Sequence, residues 1–502
     1  MNVQPQTAIR GVFSVGIVNI LARLAAYGKH LVIAAYIGLS AGLDAFYIAI
    51  TILSISIFVF GDIFDSLGIP RLVRTLQVEG EDGYKDLAGS ILAFSLILSL
   101  GLCAVLLLVA PWTPQIAPGF TPEKKGFVLS NLLFLAPMAF LYLPYHAMGS
   151  FLRARRRFHL FYIGELLIAL VSLLVILCWP EVAFIIPISF SAGYVVAFLY
   201  VSLVSRNEFR LIPGMHGEKI RGIIRMLLHL LPLYLANYLF ILVDRVFASY
   251  LSTGGVSALS YGVMIMMIPA SILMLENIFI TPLSESAEKG ELVGRILTGT
   301  LILSVPIAVF VAAYAVPIVK AAFERGMFTP GSTKMTGEAL EYYALAIPVI
   351  FAGPVLVRLF QILERLGKIT IVSFCVVALN GGLNLLFMKL GMGIKGIALA
   401  STVSWYAGLA GHLYFLRQFG ISAVGKEVTR VLMILIGISA AALGVTSILP
   451  IDANSIGGLA GCGAVFLLMV GMLVILVPNE EIRHWRGTVS REILFREKRT
   501  DR

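Results

Sequence analysis

Three basic residues near the start of the chain lie inside an apolar run of the kind that forms membrane-spanning helices. Arg23, Lys29 and His30 fall within "ARLAAYGKHLVIAAYIG" (22–38). On an α-helix Arg23 and His30, seven residues apart, share a face, and Lys29 lies about 100° away. A charge at the centre of a bilayer costs at least roughly 2.5–3.5 kcal/mol. Cations kept at that cost predict a hydrated cavity whose basic wall binds an anionic group.

A structural ion pair is the alternative explanation for Arg23. Asp44 opens the next apolar segment and Asp62 lies near its far end, so either carboxylate could pair with the guanidinium. A carboxylate near a helix N-terminus is also a common cap. Both explanations can hold, since Asp44 could orient Arg23 while leaving other donors available. Asp62 and Asp65 are expected at a solvated rim rather than in a proton relay.

A second polar set lies in the C-terminal half of the chain. Asp244, the i, i+4 pair Asn380 and Asn384, and Ser401 all fall within apolar runs. Carboxylate, amide and hydroxyl oxygens together with a backbone carbonyl are suited to Na⁺, whereas Ca²⁺ usually recruits more carboxylates. Hydrogen bonding between helices is the alternative explanation. Arg358, in another apolar run, is a further candidate for the cavity wall.

The elements that must position these residues are membrane helices. Of the 502 residues, 59% are hydrophobic and 13% are charged, and the mean hydropathy is +0.94. Soluble domains average about 25% charged residues, so the composition predicts an all-α polytopic membrane protein. The first apolar segment is too long for a signal peptide and lacks a cleavage site, so we expect it to be retained. The cysteines show no metal spacing and are expected to be buried free thiols: Cys103, Cys178, Cys375 and Cys462.

Fourteen apolar segments are long enough to span a bilayer. They lie at about 11–37, 44–66, 87–111, 126–152, 159–179, 183–205, 225–250, 255–280, 291–318, 337–363, 369–389, 393–416, 427–449 and 456–477. An even number places both termini on one side. Of the 38 basic residues, 27 lie on that side, seven on the other and four within or at the ends of segments, with the cluster at 153–157 and the tail at 483–502 contributing most.

The basic residues predict that both termini are cytoplasmic, because cytoplasmic loops carry the excess of Lys and Arg. The net charge of +10 is explained by this topology and by attraction to anionic lipids, without nucleic acid.

A faint internal repeat predicts two lobes. "AYIGLSAGLDAFY" (35–47) has a counterpart in "SYLSTGGVSALSY" (249–261), six segments later. The simplest architecture is two six-helix lobes in parallel repeat plus two C-terminal helices, with the substrate site between the lobes. The predicted boundaries are 1–220 for the first lobe, 221–420 for the second, 421–478 for the last two helices and 479–502 for a cytoplasmic basic tail.

The same residues resemble a known family. "ARLAAYGKHLVIAAYIGLSAGLDAFYIAI" (22–50) is similar to the opening of the MurJ/MviN lipid II flippases, members of the multidrug/oligosaccharidyl-lipid/polysaccharide (MOP) exporter superfamily. "FASYLSTGGVSALSYG" (247–262), "FERGMFT" (323–329) and "GIKGIALASTVSW" (393–405) continue the resemblance over nearly the whole chain. The family's fourteen-helix layout agrees with the segments counted above.

The resemblance implies roles for both polar sets. It places Arg23, Lys29 and Asp44 at a central cavity, in binding of a lipid-linked pyrophosphate-sugar headgroup or in gating. It matches a sodium site to Asp244, Asn380, Asn384, the Ile397 carbonyl and Ser401. The sequence also departs from the family. An arginine pair of the second helix falls here on "SISIF" (54–58), and an arginine of the eighth helix falls on Met264, which could suit a different headgroup.

The resulting hypothesis is a flippase of the bacterial inner membrane that moves a polyprenyl-pyrophosphate-linked glycan by alternating access, with Na⁺ as a coupling ion. Its expected partners are the lipid-linked glycan, membrane lipids and other proteins of cell-envelope glycan synthesis. A flippase for another undecaprenyl-linked polysaccharide unit is the main alternative. A cation antiporter fits poorly with a basic cavity. An enzyme would call for acid/base pairs or carboxylate clusters near an interface, and none is visible. A non-transporting scaffold is disfavoured by the retained Arg23, Lys29 and Asp44.

The predicted orientation can be tested by cysteine labelling. In a variant without the four native cysteines, a cysteine at Gly331 should react with an impermeant reagent added to intact cells, because "FERGMFT" (323–329) precedes it on the predicted periplasmic side. A cysteine at Arg157, in the basic cluster, should react only after permeabilisation. Labelling of Gly331→Cys only in permeabilised cells would contradict the orientation.

Overall fold

The computed structural model describes residues 5–210, 217–273, 289–363, 365–421 and 425–476. These ranges are helical almost throughout, and none of them contains a β-strand. The all-α prediction is therefore confirmed. The chain forms two compact units. Unit 1 comprises Met1–Ser257 with Arg325–Thr329, and unit 2 comprises Ala258–Glu324 with Pro330–Arg502.

The described helices are numbered here in chain order. Unit 1 contains α1 (Pro5–Ile37), α2 (Ala41–Leu53), α3 (Val59–Val109), α4 (Pro122–Phe134), α5 (Ala136–Ala154), α6 (Phe158–Cys178), α7 (Ile185–Ser205) and α8 (Gly217–Ala248). A π-helical segment (Ser54–Phe58) joins α2 to α3, and a 3₁₀ segment (Ala110–Ile116) follows α3. The remaining helices are α9 (Gly255–Leu273), α10 (Lys289–Ala313), α11 (Ala315–Phe323), α12 (Pro330–Ala344), α13 (Ile347–Ile362), α14 (Leu366–Lys389), α15 (Gly393–Gln418), α16 (Lys426–Ile448) and α17 (Ile456–Leu476). Of these, α9 begins in unit 1 and continues into unit 2.

The number of spans stays a prediction. Within the described ranges, nine helices are long and apolar enough to cross a membrane, and eleven if two bent pairs each count as one span. Those pairs are α4 with α5, bent by 44°, and α12 with α13, bent by 50°. All fourteen predicted segments overlap helical residues, although the segment at 255–280 extends beyond the described part. The second and third predicted segments lie in one stretch, Ala41–Ile116.

A glycine bend separates those two segments. Gly80 has φ +73° and ψ −161°, a backbone conformation that residues with a Cβ rarely adopt. It lies in the acidic turn "EGED" (79–82). Arg155 pairs with Glu81 in this turn and with Glu208 at 3.0 Å. Arg157 reaches the other oxygen of Glu208 at 2.8 Å. Arg155 and Arg157 of the basic cluster therefore link the segment after α5 to the turn at Glu81 and to the segment after α7 that contains Glu208.

Unit 1 is held together by close contact between apolar helices. α6 packs against α1 and α7, while α3 packs against α5 and α8. Gly193 on α7 is buried, and a Cβ added there would meet the Ile168 carbonyl and the Ser172 hydroxyl of α6. Small residues permit such approach, which is typical of membrane helices. The outer faces are apolar instead of charged: Leu100 and Leu199 are 63% and 62% exposed. This pattern fits a lipid environment.

Unit 2 has its own apolar core. Val305 of α10 packs with Val431 and Leu435 of α16, and Phe466 of α17 packs with Ile438 farther along α16. α15 contacts α12, α13 and α14.

Three sequence predictions bear on this architecture. The predicted lobe boundary near residue 220 stays a prediction; the two compact units divide at Ser257, after α8. The basic tail at 479–502 lies outside the described residues. All four cysteines are free, as expected, but only Cys103 and Cys462 are buried. Cys178 and Cys375 are exposed, because an apolar segment here has an outer face as well as a packed one.

Candidate functional site

A cavity of about 450 Å³ lies inside unit 1. Helices α1, α3, α5, α6 and α7 supply its walls, and its volume falls within the roughly 300–1,000 Å³ that is typical of ligand pockets. Its polar lining comprises Asn19, Arg23, Lys29, Asp65, His146 and Glu165, with the aromatic residues Phe161, Tyr162, Phe190 and Tyr194 between them. The sequence prediction of a cavity lined by Arg23 and Lys29 agrees with this geometry, although their role in binding stays a prediction.

The two cations of α1 keep hydrogen-bond donors for a ligand. Arg23 Nε donates to Asn19 Oδ1 at 3.2 Å, and its two Nη atoms have no acceptor among the described residues. Lys29 is 5% exposed, and its Nζ lies 3.6 Å from the centroid of the Phe190 ring. The same part of the chain offers that ammonium no hydrogen-bond acceptor. A cation–π contact favours a charge but leaves its N–H donors open.

At another wall of the cavity, the Asp65 carboxylate is paired with side chains of α5. Arg153 grips the Asp65 carboxylate with both Nη atoms, Nη1 at 3.0 Å, and His146 Nδ1 lies 3.2 Å from Asp65 Oδ2. Asp62 accepts a hydrogen bond of 2.6 Å from Tyr238 Oη on α8. The expectation of a solvated rim stays a prediction, since Asp65 lines the cavity and its side chain is 25% exposed. Both carboxylates connect α3 to other helices, because partners on α5 and α8 face them.

The structure also brings a residue into the cavity that the sequence analysis did not consider. Glu165 lies on α6, and its Oε1 accepts a hydrogen bond of 2.9 Å from Tyr145 Oη. The sequence does contain a signal for this residue, because Glu165 is the single charged residue in the 21-residue apolar helix Phe158–Cys178. An ionisable residue inside such a segment is a functional candidate by default.

Asp44 has partners other than Arg23. Its Oδ1 accepts hydrogen bonds from Ser257 N at 2.9 Å and Ser257 Oγ at 2.7 Å, and its Oδ2 accepts one from Gly254 N at 2.7 Å. Lys124 Nζ lies 3.7 Å from Oδ2. Asp44 is 1% exposed and does not line the cavity. The proposed Arg23–Asp44 pair is absent from the described structure, because α2 turns this carboxylate towards the turn that follows α8.

These contacts join the two copies of the internal repeat. Asp44 belongs to "AYIGLSAGLDAFY" (35–47), and Gly254 and Ser257 belong to "SYLSTGGVSALSY" (249–261). Asp44 is not the cap of α2: Ser40 fills that position, and its side chain accepts a hydrogen bond from Leu43 N. In the "FERGMFT" turn (323–329), Met327 N donates to Ala35 O at 2.7 Å beside the first copy.

The predicted sodium ligands are divided between the units. In unit 2, Asn380, Asn384 and Ser401 are all 0% exposed, and Asn384 Nδ2 donates to Asn380 Oδ1 at 3.3 Å. Ser401 Oγ donates to the Ile397 carbonyl at 3.2 Å. Asp244 lies on α8 in unit 1 and is 9% exposed. The oxygen donors and their burial are compatible with a hard cation, and the sodium site stays a prediction.

The other candidates lie elsewhere. His30 does not line the unit 1 cavity. Arg358, on α13 of unit 2, donates from Nη1 to Gln361 Oε1 at 2.8 Å. The "SISIF" run, where the resemblance lacks its arginine pair, forms the π-helical segment. The hydroxyls of Ser54 and Ser56 donate to the Ile50 and Ile52 carbonyls at 2.8 Å, and none of the five residues is basic.

Comparisons with known proteins agree with this geometry. A family model described as "Lipid II flippase MurJ" matches residues 33–454. A protein of Buchnera aphidicola subsp. Acyrthosiphon pisum (strain APS), named "Probable lipid II flippase MurJ", is 25% identical over 430 residues, which cover 79% of this chain and 81% of the relative. A relative of the same name from Aquifex aeolicus (strain VF5) is 25% identical over 406 residues, with 78% and 80% covered.

Solved structures show the same fold. "Lipid II flippase MurJ, inward closed conformation" superposes with a TM-score of 0.79 at 18% identity, covering 96% of this chain and 99% of that one. A MATE transporter of Vibrio cholerae in its bent form gives a TM-score of 0.56 at 15% identity, covering 83% and 99%. Fold and cavity thus define a helical membrane protein with a polar cavity among its helices. Because the family model spans most of its length, the chain belongs to the lipid II flippase MurJ family, which comprises transporters and not enzymes.

The ion pair between Lys124 and Asp44 predicts a measurable coupling. Lys124→Gln should destabilise the protein by roughly 1–3 kcal/mol, because it removes the cation beside a buried carboxylate. Lys125→Gln is the matched control, since Lys125 Nζ donates to Gln115 at the surface, and it should change stability by less than about 0.5 kcal/mol. Thermal unfolding in detergent measures both. In a double-mutant cycle with Asp44→Asn the two losses should not add, and full additivity would show that Lys124 does not act on Asp44.

Proposed function

We propose that this protein flips a polyprenyl-pyrophosphate-linked glycan of the lipid II type across the bacterial inner membrane. One observation carries the proposal. Lys29 is a 95% buried cation in a cavity, and the described residues give its ammonium no hydrogen-bond acceptor. Arg23 lines the same cavity with two donor atoms likewise available.

The energetics explain why an anionic ligand suits this arrangement. A buried charge without a partner is costly, and the cost is recovered only when an opposite charge arrives with good geometry. A pyrophosphate offers several anionic oxygens, and Arg and Lys together can meet them through charge-assisted bonds. The polyprenyl tail is apolar and can stay in lipid while the headgroup enters the cavity. A small cationic substrate would instead be repelled by both side chains.

Alternating access requires that one end of the cavity close while the other opens. We assign the Asp44 contacts to the closed outer end, because three hydrogen bonds link the two copies of the repeat there and an ion pair adds α4 to them. Opening that end would break them, so a substrate must bind the two states with different affinity in order to drive the change.

Sodium coupling is a further part of the proposal. Asp244, Asn380, Asn384, Ser401 and the Ile397 carbonyl would supply oxygen ligands. Their burial means that a bound ion would lose most of its water. Coupling requires Na⁺ to favour one conformation. Proteins that make the lipid-linked glycan are the expected partners, with membrane lipids around the helices.

A different undecaprenyl-linked glycan, such as an O-antigen or exopolysaccharide unit, is the second candidate. The π-helical segment favours it, because serine hydroxyls and apolar side chains replace a family arginine pair there. A cavity with fewer cations would select a headgroup with fewer anionic groups beyond the pyrophosphate.

Substitutions at Lys29 test the headgroup proposal. Lys29→Gln should weaken binding of the lipid-linked glycan by about ten- to a hundred-fold and abolish flipping, because it removes a charged donor. Lys29→Arg should be tolerated better. Arg23→Ala should also abolish flipping while the protein still folds. Lys85→Gln is the control, since Lys85 does not line the cavity. Full transport by Lys29→Gln in reconstituted vesicles would refute the proposal.

Sodium dependence can be measured on the purified protein. Melting in NaCl should occur at a higher temperature than in choline chloride, because a ligand of the folded state stabilises it by RT ln(1 + [L]/Kd). Asp244→Ala and Asn384→Leu should each remove the difference. An equal wild-type melting temperature in NaCl and in choline chloride would refute the ion site and leave the headgroup proposal unaffected.

A further inference from the structure

Glu165 stands out among the residues of the unit 1 cavity because the binding of pyrophosphate gives it no role. Lys29 and Arg23 suit an anion, whereas a carboxylate in the same cavity repels one. Tyr145 Oη donates to Glu165 Oε1 at 2.9 Å. No described residue donates a hydrogen bond to Oε2. The carboxylate is thus held by one oxygen, and the other is available to a ligand.

Neutralising Lys29 is not a sufficient role for Glu165. The Glu165 charge acts on Lys29 through space, but no salt bridge joins the two within the described ranges. The Lys29 ammonium lies over the Phe190 ring, and Glu165 is bonded to Tyr145. Each charge has a different aromatic residue as its neighbour. Both side chains line the same cavity of about 450 Å³, so a ligand there can contact the cationic wall and the acceptor together.

The chemistry of the ligand follows from this division. A carboxylate accepts hydrogen bonds from O–H and N–H groups, and it does so more strongly than a neutral acceptor. A pyrophosphate has no such donors when ionised, so its place is beside α1. The sugar attached to it carries hydroxyl and amide N–H donors. Tyr162 and Tyr194 line the same cavity and offer flat surfaces for a sugar ring.

The geometry assigns Glu165 as a specificity-determining residue that accepts hydrogen bonds from the hydroxyl or amide N–H groups of the sugar linked to the pyrophosphate. Tyr145 is the positioning residue that fixes one carboxylate oxygen and aims the other. This inference rests on the proposed function, because it needs a pyrophosphate beside Lys29 and Arg23. It adds that the cavity recognises the glycan as well as the pyrophosphate.

The assignment predicts different effects on the affinities for two ligands. Glu165→Leu should weaken binding of a polyprenyl-pyrophosphoryl disaccharide by about ten- to a hundred-fold, because a charge-assisted hydrogen bond is lost. Binding of bare polyprenyl pyrophosphate should stay the same or become tighter, since a like charge leaves the cavity. Glu165→Gln should fall between wild type and Glu165→Leu for the disaccharide. Tyr145→Phe should give a smaller loss in the same direction.

The experiment measures both affinities on the full-length protein in lipid nanodiscs. Stabilisation against thermal unfolding at increasing ligand concentration gives each Kd. The readout is the ratio of the two affinities, which a general loss of structure would not change selectively. Glu181→Gln is the matched control, since Glu181 is an exposed carboxylate in the turn after α6. Melting without ligand shows whether each variant folds.

The outcomes separate the two proposals. A ratio that Glu165→Leu and Glu165→Gln leave unchanged would overturn the assignment, as would equal losses for both ligands. A loss confined to a disaccharide that also carries a peptide would place the donor on the peptide and overturn the assignment to the sugar. Wild-type protein that binds neither lipid would instead refute the proposed function. A selective loss of disaccharide affinity, with Tyr145→Phe following it, supports Glu165 as the glycan acceptor.

Discussion

Charge in an apolar helix bundle is the constraint on which the rest of unit 1 depends, because each ionic group there must find compensation. Unit 1 solves this problem in three ways. The Asp44 carboxylate accepts hydrogen bonds from Gly254 and Ser257 and so links the start of α2 to the turn after α8. The Asp65 carboxylate is paired with Arg153, and this pair links α3 to α5. Lys29 lies over the Phe190 ring, which compensates its charge but leaves its N–H donors unused by any described residue, and the proposed headgroup contact is based on this difference.

The helices around the cavity are adapted to hold these groups at fixed positions. α6 supplies Glu165 and packs closely on α7 through Gly193, so the carboxylate lies on a rigid wall. The π-helical segment between α2 and α3 absorbs an extra residue in a continuous helix, and such segments are frequent at functional sites. Here its serines satisfy local carbonyls. In the cavity itself, the lysine and the arginine of the lining both lie on α1, whereas the carboxylates lie on α3 and α6.

The sequence predicted the parts of this structure that depend on local pattern. Hydropathy placed a helix at each of the fourteen segments, and the cations Arg23 and Lys29 inside an apolar run indicated a cavity. Partners distant in the chain could not be predicted. The Asp44 bonds span about 210 residues, and no periodicity relates the carboxylate to Ser257. Glu165 could not be predicted from spacing for a different reason, because it is the single charged residue of its helix and has no charged neighbour at helical spacing. The family resemblance did not indicate it either.

The mixed charge of the cavity also bears on selectivity within the family. A cavity with cations alone would bind any polyprenyl pyrophosphate, including a carrier that has lost its glycan. A carboxylate opposite those cations penalises the bare anion and rewards a ligand that brings hydrogen-bond donors, so discrimination comes from an added repulsion as well as an added contact. On the assignment proposed for Glu165, the glycan is the part of the substrate that decides entry into the cavity.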